Sequence, residues 1–555
     1  MERLWWHDAV IYHVYPRSFL DTDGDGVGDL PGVRRRLPYL ARLGVDALWL
    51  SPFFASPMAD FGYDVSDHTA VDPLFGSLAD FDELLDAAHG HGLRVLIDYV
   101  PNHTSDRHRW FRDARADPAG PRRDWYVWRD PSPGGGPPNN WITLFGDSAW
   151  TREEAGGQYY LHSFLPSMPD LNWRNPAVQE AMFDVARFWL DRGVDGFRVD
   201  CAPLIAKDPL LRDNPPAATG TSAHHRDLGG FDSQLHLHDQ GHPDLHPRYR
   251  DLRALLDSYG EPGERIALGE VHEYDWPAWS RYFGRDLDEL NLPINFGLLG
   301  TDWHPEAIRT TVRAILDAVP AGAVVTWVMG SHDDPRVASR VGPAQAANAM
   351  LLLLTLPGTA ILYNGDELGM PDAAVPPERI RDPWGLRTPA LSRDHARSPM
   401  PWSPDSPSCG FTATGVEPWL PVTTPPGGTV RDQEADPSSL LSLTRDLLAL
   451  RRAGAALHGA GLAFLDSPPG VLAYTRSPGP GSPPGAGGDL LVTLNLTDRA
   501  VPLDHLLTPR PSGGPWRRVF TTARTRDAAH TGQGALAPAE GAVWSAGDGG
   551  GPHRT

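Results

Sequence analysis

The chain has 555 residues, 41% of them hydrophobic, with two cysteines and a formal net charge of −21. That length exceeds a single hydrophobic core and calls for one large domain with at least one smaller companion. The acidity excludes a nucleic-acid or anionic-membrane surface, since both need basic groups, and two cysteines make no disulfide framework.

The first nineteen residues lack a basic stretch followed by an apolar one, and the apolar run 351–354 is far too short to span a bilayer. A cytoplasmic protein, monomeric or a small homo-oligomer, is expected. Along the chain, short β-rich runs alternate with helical patterns. Strands are predicted at 10–15, 47–50, 94–97, 196–199, 266–268, 294–297, 324–329 and 359–362. Between them, helices are predicted at 33–43, 80–89, 178–192, 249–258, 305–318 and 345–355. Eight strands separated by helices predict an α/β chain built on a (β/α)8 TIM barrel. The connection after the third strand is too long for a barrel loop and rich in Pro, Gly, Trp and Asn, so an inserted subdomain is expected there. A second irregular stretch, 371–430, follows the last strand and is expected to cap the mouth. Beyond residue 452 short strands such as 471–475 and 490–495 predict a C-terminal antiparallel β-sandwich. A loop at 477–488 and a disordered tail at 547–555 complete it. The predicted domains are 1–103 with 176–455 as barrel, 104–175 as insert, and 456–555 as sandwich.

After the first strand, Asp21, Asp23, Asp25, Val27 and Asp29 place oxygens at alternate positions, with Gly26 at the sixth. This matches the first nine positions of a calcium loop, with Val27 offering its carbonyl. Gly32 at position twelve, where Glu belongs, and the preceding strand exclude an EF-hand. A solvated acidic turn is the alternative.

Position makes the other carboxylates informative. In a parallel barrel, chemistry sits at the C-terminal ends of the strands. Three predicted strands run there into Asp200, Glu270 and Asp333, and a fourth into Asp98 and His103. One strand-end acid is as readily a helix cap as a catalyst; three converging on one mouth are not explained by capping. Period two points Arg198 and Asp200 both inward. Arg198 would then keep Asp200 ionised, as a nucleophile must be, while Glu270, near other negative charges, would keep its proton. Cleavage of a glycosidic bond with retention needs two carboxyls about 5 Å apart. Asp333 would hold sugar hydroxyls, with His103 and His332 as donors.

The segments Asp98-Tyr-Val-Pro-Asn-His103, Gly196-Phe-Arg-Val-Asp200, Gly269-Glu270 and Ser331-His-Asp333 resemble, in order, the four signature regions of the α-amylase superfamily, glycoside hydrolase family 13. Met168-Pro-Asp-Leu-Asn172 resembles the extra region that separates its subgroups. Trp5-Trp6, Ile11-Tyr12 to Phe19, Asp60-Phe-Gly-Tyr63-Asp64 and Asp394-His-Ala-Arg397-Ser-Pro-Met400 resemble the α-glucosidase and oligo-1,6-glucosidase branch. The resemblance implies a retaining α-glucosidase acting on the terminal non-reducing glucose of short oligosaccharides or disaccharides. It implies Asp200 as nucleophile, Glu270 as acid/base and Asp333 as transition-state stabiliser. Asp60 and Arg397 would bind the terminal glucose, Tyr63 would stack beneath its ring, and Phe145 and Phe164 would line the pocket. The metal loop would hold a structural Ca2+ or Mg2+, with no cofactor in catalysis. Four departures stand out: Ser331 replaces the usual Asn, Met168 and Pro401 replace usual Gln residues, and the small Cys201 after the nucleophile implies α-1,4 or mixed linkage preference. The rival activities are glucosyl transfer or isomerisation on trehalose, sucrose or maltose. A non-catalytic barrel subunit is a rival of another class, opposed by the presence of all three acids.

Overall fold

A computed structural model describes residues 3–154, 156–218, 227–459, 461–479, 488–508, 515–524 and 534–546. Eight parallel strands close a barrel: β1 (Val10–Val14), β2 (Ala47–Leu50), β3 (Arg94–Tyr99), β4 (Gly196–Val199), β5 (Ile266–Glu270), β6 (Leu292–Ile294), β7 (Thr326–Val328) and β8 (Thr359–Tyr363). Each pairs with its neighbour in chain order, and β8 pairs back onto β1.

Alternation along the strands sorts the side chains into two cores. Ile11, Trp49, Leu96, Leu268, Ile294 and Ile361 fill the barrel interior, whereas Tyr12, Leu48, Val95, Phe197, Trp327 and Leu362 pack outward against the helices. Two residues beyond the apolar floor, the inward positions of β3, β4 and β5 become Asp98, Arg198 with Asp200, and Glu270. The same pleat that buries the floor therefore raises a charged rim.

The helices begin and end where their sequences say. Leu30–Leu43 buries Leu30, Val33, Leu37, Leu40 and Leu43 on one face; its N-cap Asp29 accepts the Gly32 N–H at 2.6 Å, and it stops at Gly44, left-handed at φ 97°. Leu78–Gly90 starts with a capping box between Ser77 and Asp80. Asn175 and His304 cap Pro176–Asp191 and Pro305–Ala318.

The structure departs from expectation in three places. The sixth strand lies at Leu292–Ile294, not 294–297, because Leu292 and Ile294 are its inward residues and the backbone breaks at Phe296 into a turn of 3-10 helix. Pro293 inside the strand disguises its start. A helix absent from the predicted set, Leu440–Ala453, is capped by Ser439 and buries Leu441, Leu447 and Leu448; Arg451 on it ties the barrel floor together through Leu354 O at 2.7 Å and Leu356 O at 3.2 Å. Between β4 and the helix Leu245–Asp257 the described residues 201–218 and 227–244 form a long excursion that the sequence reading leaves unremarked.

Within residues 104–175 a helix, Arg109–Ala116, accompanies a three-stranded antiparallel sheet of Trp128–Arg129, Tyr159–Leu161 and Trp150–Arg152. The C-terminal part is an antiparallel sheet of five strands ordered Gly461–Phe464, Val471–Ser477, Leu490–Asn495, Gly541–Ala546 and Trp516–Thr521. It leans on the barrel, where the hydroxyls of Tyr474 and Thr355 lie 2.6 Å apart. Its other face is covered by a two-stranded ribbon through Leu491, Leu503, Leu536 and Trp544, so among the described residues the second layer of the sandwich is thin. Most of the predicted loop 477–488 and all of the tail 547–555 lie outside the described residues. Among the described residues no helix is long and apolar enough to cross a membrane, and Cys201 and Cys409 are free thiols.

Leu268 fills the barrel one pleat below Glu270. Leu268→Ala opens a cavity there and is expected to cost about 2–5 kcal/mol, read as a lowered urea midpoint with an unchanged slope.

Candidate active site

The charged rim is built around one guanidinium. Arg198, 3% exposed, reaches Asp98 Oδ1 and Asp200 Oδ1 through Nη1, each at 2.6 Å, and Glu270 Oε2 through Nη2 at 2.8 Å. Three carboxylates on three adjacent strands thus share one cation. Oxygens of Asp200 and Glu270 lie within 4.8 Å of one another. Glu270 Oε2 also accepts the backbone N–H of Cys201 at 2.8 Å, and Oε1 meets His272 Nε2 at 3.1 Å. Cys201 stands in the left-handed region at φ 45°, the turn that aims its N–H at Glu270.

Arg198 does not single out Asp200, as the sequence suggested, because it touches both members of the pair. Burial raises the Asp200 carboxyl, Arg198 works against it, and Glu270 raises it further. Burial also acts to raise Glu270, but Arg198 and His272 outweigh it and hold it at about 2. The two carboxyls therefore titrate as a unit, one proton leaving early and one retained. Burial lifts Asp98 to about 6 despite Arg198.

A second charged cluster faces the first across the mouth. Asp333 Oδ1 is 2.8 Å from Arg397 Nη2 and 3.3 Å from Arg393 Nη1. Burial opposes its ionisation, yet His332, Arg397 and Arg393 hold it well below the usual carboxylate range. Tyr63 Oη and Asp333 Oδ2 meet His332 Nε2 at 3.0 and 3.2 Å. Burial keeps His332 neutral, with a pKa near 3. Arg393 Nη2 reaches Asp60 Oδ1 at 2.5 Å and Asp382 Oδ1 at 2.6 Å.

Residues of both clusters line one pocket at the mouth of the barrel. Asp200, Glu270 and His272 form one side; Asp60, Asp333 and Arg393 form another; Leu144, Phe164, Met168 and Trp384 close the walls.

The fit of the whole chain to known proteins follows the same lines. A model of the α-amylase catalytic domain matches residues 13–460. The chain belongs to the α-amylase family. A probable α-glucosidase from Rhizobium meliloti is 41% identical over 498 residues, covering 86% of this chain and 88% of its own. Oligo-1,6-glucosidase from Heyndrickxia coagulans is 34% identical over 545 residues, covering 90% and 94%. Among solved structures, an α-glucosyl transfer enzyme at 40% identity spans 98% of this chain and all of its own with a TM-score of 0.88. Trehalulose synthase from Pseudomonas mesoacidophila MX-45, at 31% identity, spans 98% and 100% with a TM-score of 0.85. The chain is therefore a glycoside hydrolase of the α-glucosidase and oligo-1,6-glucosidase branch, and its substrate is a carbohydrate.

Within this α-amylase-family barrel, the structure brings Asp200, Glu270, Asp333, Asp60, Tyr63, His103 and Phe164 onto one pocket. Arg198, His332 and Arg397 stand buried behind them. Arg397 is occupied by His332 O at 2.8 Å and by Asp333, so the arginine on the pocket wall beside Asp60 is Arg393. Phe145 stands behind the wall, edge-on to Trp384 at 5.4 Å. His103 donates from Nε2 to Tyr63 O at 3.2 Å and packs edge-on to Phe164. Ser331 keeps the rim ordered in place of the usual Asn: its Oγ accepts the Asp333 N–H at 3.1 Å and donates to Asp334 at 2.7 Å. Sequence reasoning missed Arg393 and His272. Arg393 precedes the Asp394–Arg397 motif by one residue and stands four residues before Arg397, the signal that could have found it.

The loop after β1 forms a separate cluster. Oxygens of Asp21, Asp23 and Asp29 lie within 4.8 Å of one another, while Asp25 turns aside to accept the Val27 N–H at 2.7 Å. Asp21 also takes the N–H groups of Gly24 and Gly26 at 2.7 and 2.8 Å. The loop is pinned to the capping segment through Asp21 N–H to Phe411 O and Trp419 N–H to Gly26 O, both at 2.9 Å.

His272 is one of the two groups holding Glu270 down. His272→Phe removes it, so the Glu270 pKa rises; Glu270 must carry a proton to the leaving oxygen, so the alkaline limb of the kcat/KM profile moves to higher pH. A profile that keeps its alkaline limb in place counts against this pairing.

Proposed function

We propose that the chain is a retaining α-glucosidase that releases terminal, non-reducing α-linked glucose from short oligosaccharides and disaccharides by double displacement. The observation that supports this most directly is the approach of Asp200 and Glu270 to within 4.8 Å. Retention works at about 5 Å, whereas inversion needs a wider gap for water. Asp200 attacks the anomeric carbon. Glu270 protonates the departing oxygen, then takes a proton from the water that opens the glucosyl-enzyme. Asp333 grips ring hydroxyls as the sugar flattens, Asp60 with Arg393 holds the far edge of the ring, and Tyr63 lies beneath it. His103 and Phe164 complete that subsite. Arg198 acts from behind by holding Asp200 and Glu270 in place, while His332 and Arg397 keep Asp333 ionised and aimed.

Glucosyl transfer or isomerisation runs through the same intermediate and differs only in what accepts the sugar. The apolar rim of Leu144, Met168 and Leu228 favours it, because that rim discourages water at the moment of acceptance.

The Asp21, Asp23 and Asp29 oxygens are hard donors suited to Ca2+ or Mg2+. The metal's part would be structural, tying β1 and the capping segment together, with the Val27 carbonyl as a further ligand and Asp25 left to hold the loop through the Val27 N–H.

Proton NMR of early product is expected to show α-glucose ahead of the β-anomer with maltose, and little release from starch; β-glucose first would overturn the retaining reading. Asp200→Ala should lose at least several orders of magnitude in kcat. EDTA should lower the melting temperature by on the order of 5 °C, reversed by Ca2+, without changing kcat well below melting. Asp21→Asn should abolish that difference.

A further inference from the structure

At the opposite end of the barrel from the pocket, where β7 and β8 begin, lies a cavity of about 760 Å3, within the range of small-molecule sites. Three parts of the chain enclose it. Arg3, His7 and Asp8 come from the N-terminal segment, Arg313 from the helix Pro305–Ala318, and His458 and Phe464 from the chain that enters the C-terminal sheet. A smaller cavity shares Arg3, Asp8 and His458 with it and adds Arg451.

The charge around this cavity is positive, although the chain carries −21 overall. Arg451 and Arg476 are buried beside it. Among the described residues their hydrogen bonds all end on backbone carbonyls, including Gly358 O and Gly459 O on the cavity wall. Carbonyls satisfy the donors but carry only partial charge, so both cations stay largely uncompensated. Arg3 takes Asp8 at 2.6 Å. Arg313 has no ion pair or hydrogen bond among the described residues and lies 5.3 Å over the Phe464 ring. Four guanidiniums thus stand against two lining carboxylates, Asp8 and Asp317. The histidines register the field: burial together with Arg3, Arg451 and Arg476 holds His458 down at about 4, and burial with Arg3 lowers His7.

Such a hollow selects an oxyanion. Arg3 and Arg313 offer planar forks that match the geometry of a phosphate. The apolar walls of Leu316, Val319 and Phe464 strengthen that pairing by excluding water. A neutral sugar gains nothing from the field, and a cation is repelled by it. We propose that this cavity binds a phosphate group, free or carried by a small ester, and so ties the N-terminal segment, the helix Pro305–Ala318 and the C-terminal sheet together. The anion stabilises the fold by mass action without touching the carboxylates at the barrel mouth, so the site stands apart from whatever reaction runs there.

The test is calorimetric titration of the full chain at constant ionic strength with inorganic phosphate, glycerol 3-phosphate and, as the uncharged control, glycerol. The expected result is one phosphate group bound per chain and no binding of glycerol. Tighter binding of glycerol 3-phosphate identifies an esterified ligand, and equal binding identifies the free anion. Arg3→Gln and Arg313→Gln should each weaken binding at least tenfold, since each removes a charge-assisted contact, while kcat on an α-glucoside stays unchanged. His458 gives a readout in the unaltered cavity. A bound anion favours its protonated form, so its NMR titration moves to higher pH when phosphate is added; the signal is identified by its loss in His458→Gln. No binding of either phosphate species, or an affinity that survives both arginine substitutions, would overturn the site.

Discussion

A single buried cation decides how this barrel can do chemistry. Arg198 lies between Asp98, Asp200 and Glu270, and rings of Trp49 and Tyr63 stand 5.0 and 5.9 Å from its centre. Three carboxylates around one guanidinium cannot all ionise away from water, because each added negative charge raises the others. The cluster therefore keeps a proton without any dedicated donor, and a pair sharing one proton is what double displacement starts from: one carboxylate to attack, one acid to give. Neutral side chains at position 198 would leave buried charges unpaired, at a cost of about 3–5 kcal/mol for a broken pair. The strand order makes the arrangement possible, since β3, β4 and β5 are neighbours and Asp98 and Arg198 are directly opposed in register.

The second cluster solves a different problem. Asp60, Asp333 and Asp382 come from three distant parts of the chain, and Arg393 reaches all three. It sits on the segment after β8, so the ion pairs that shape the sugar end of the pocket also fasten the cap over the barrel. Asp333 belongs to both networks. It is held ionised by Arg393 and Arg397, and its charge in turn acts to raise Glu270. Cap and rim are thus electrically coupled: loosening Arg393 alters the acid on the opposite side of the pocket.

What was legible in the sequence follows from what leaves a periodic trace. The barrel strands alternate, and Asp200, Glu270 and Asp333 mark strand ends, so fold and catalytic trio could be read without coordinates. β6 was displaced by two residues because Pro293 breaks the pattern it belongs to. The walls were harder. Leu144 and Phe164 come from the insert, Leu228 and Phe231 from the excursion after β4, and Trp384 and Arg393 from the cap. None of these segments repeats with a period that a pattern can detect, and their residues acquire a shared role only through long-range packing. The choice of Arg397 over Arg393 as the pocket arginine is the same failure at small scale: the two are four residues apart, and the side-chain directions that separate them are set by Asp60 and Asp382.

Cys201 shows how backbone and side chain can be asked for different things at one position. The chain must turn sharply after the nucleophile, and the left-handed conformation that achieves it costs a non-glycine residue on the order of 1 kcal/mol or more. Glycine would remove the strain but also part of the wall, since Cys201 lines the pocket. A β-branched residue would keep a wall but strain the turn further. A small unbranched side chain meets both demands, and the strain is held in place by the bond from its N–H to Glu270.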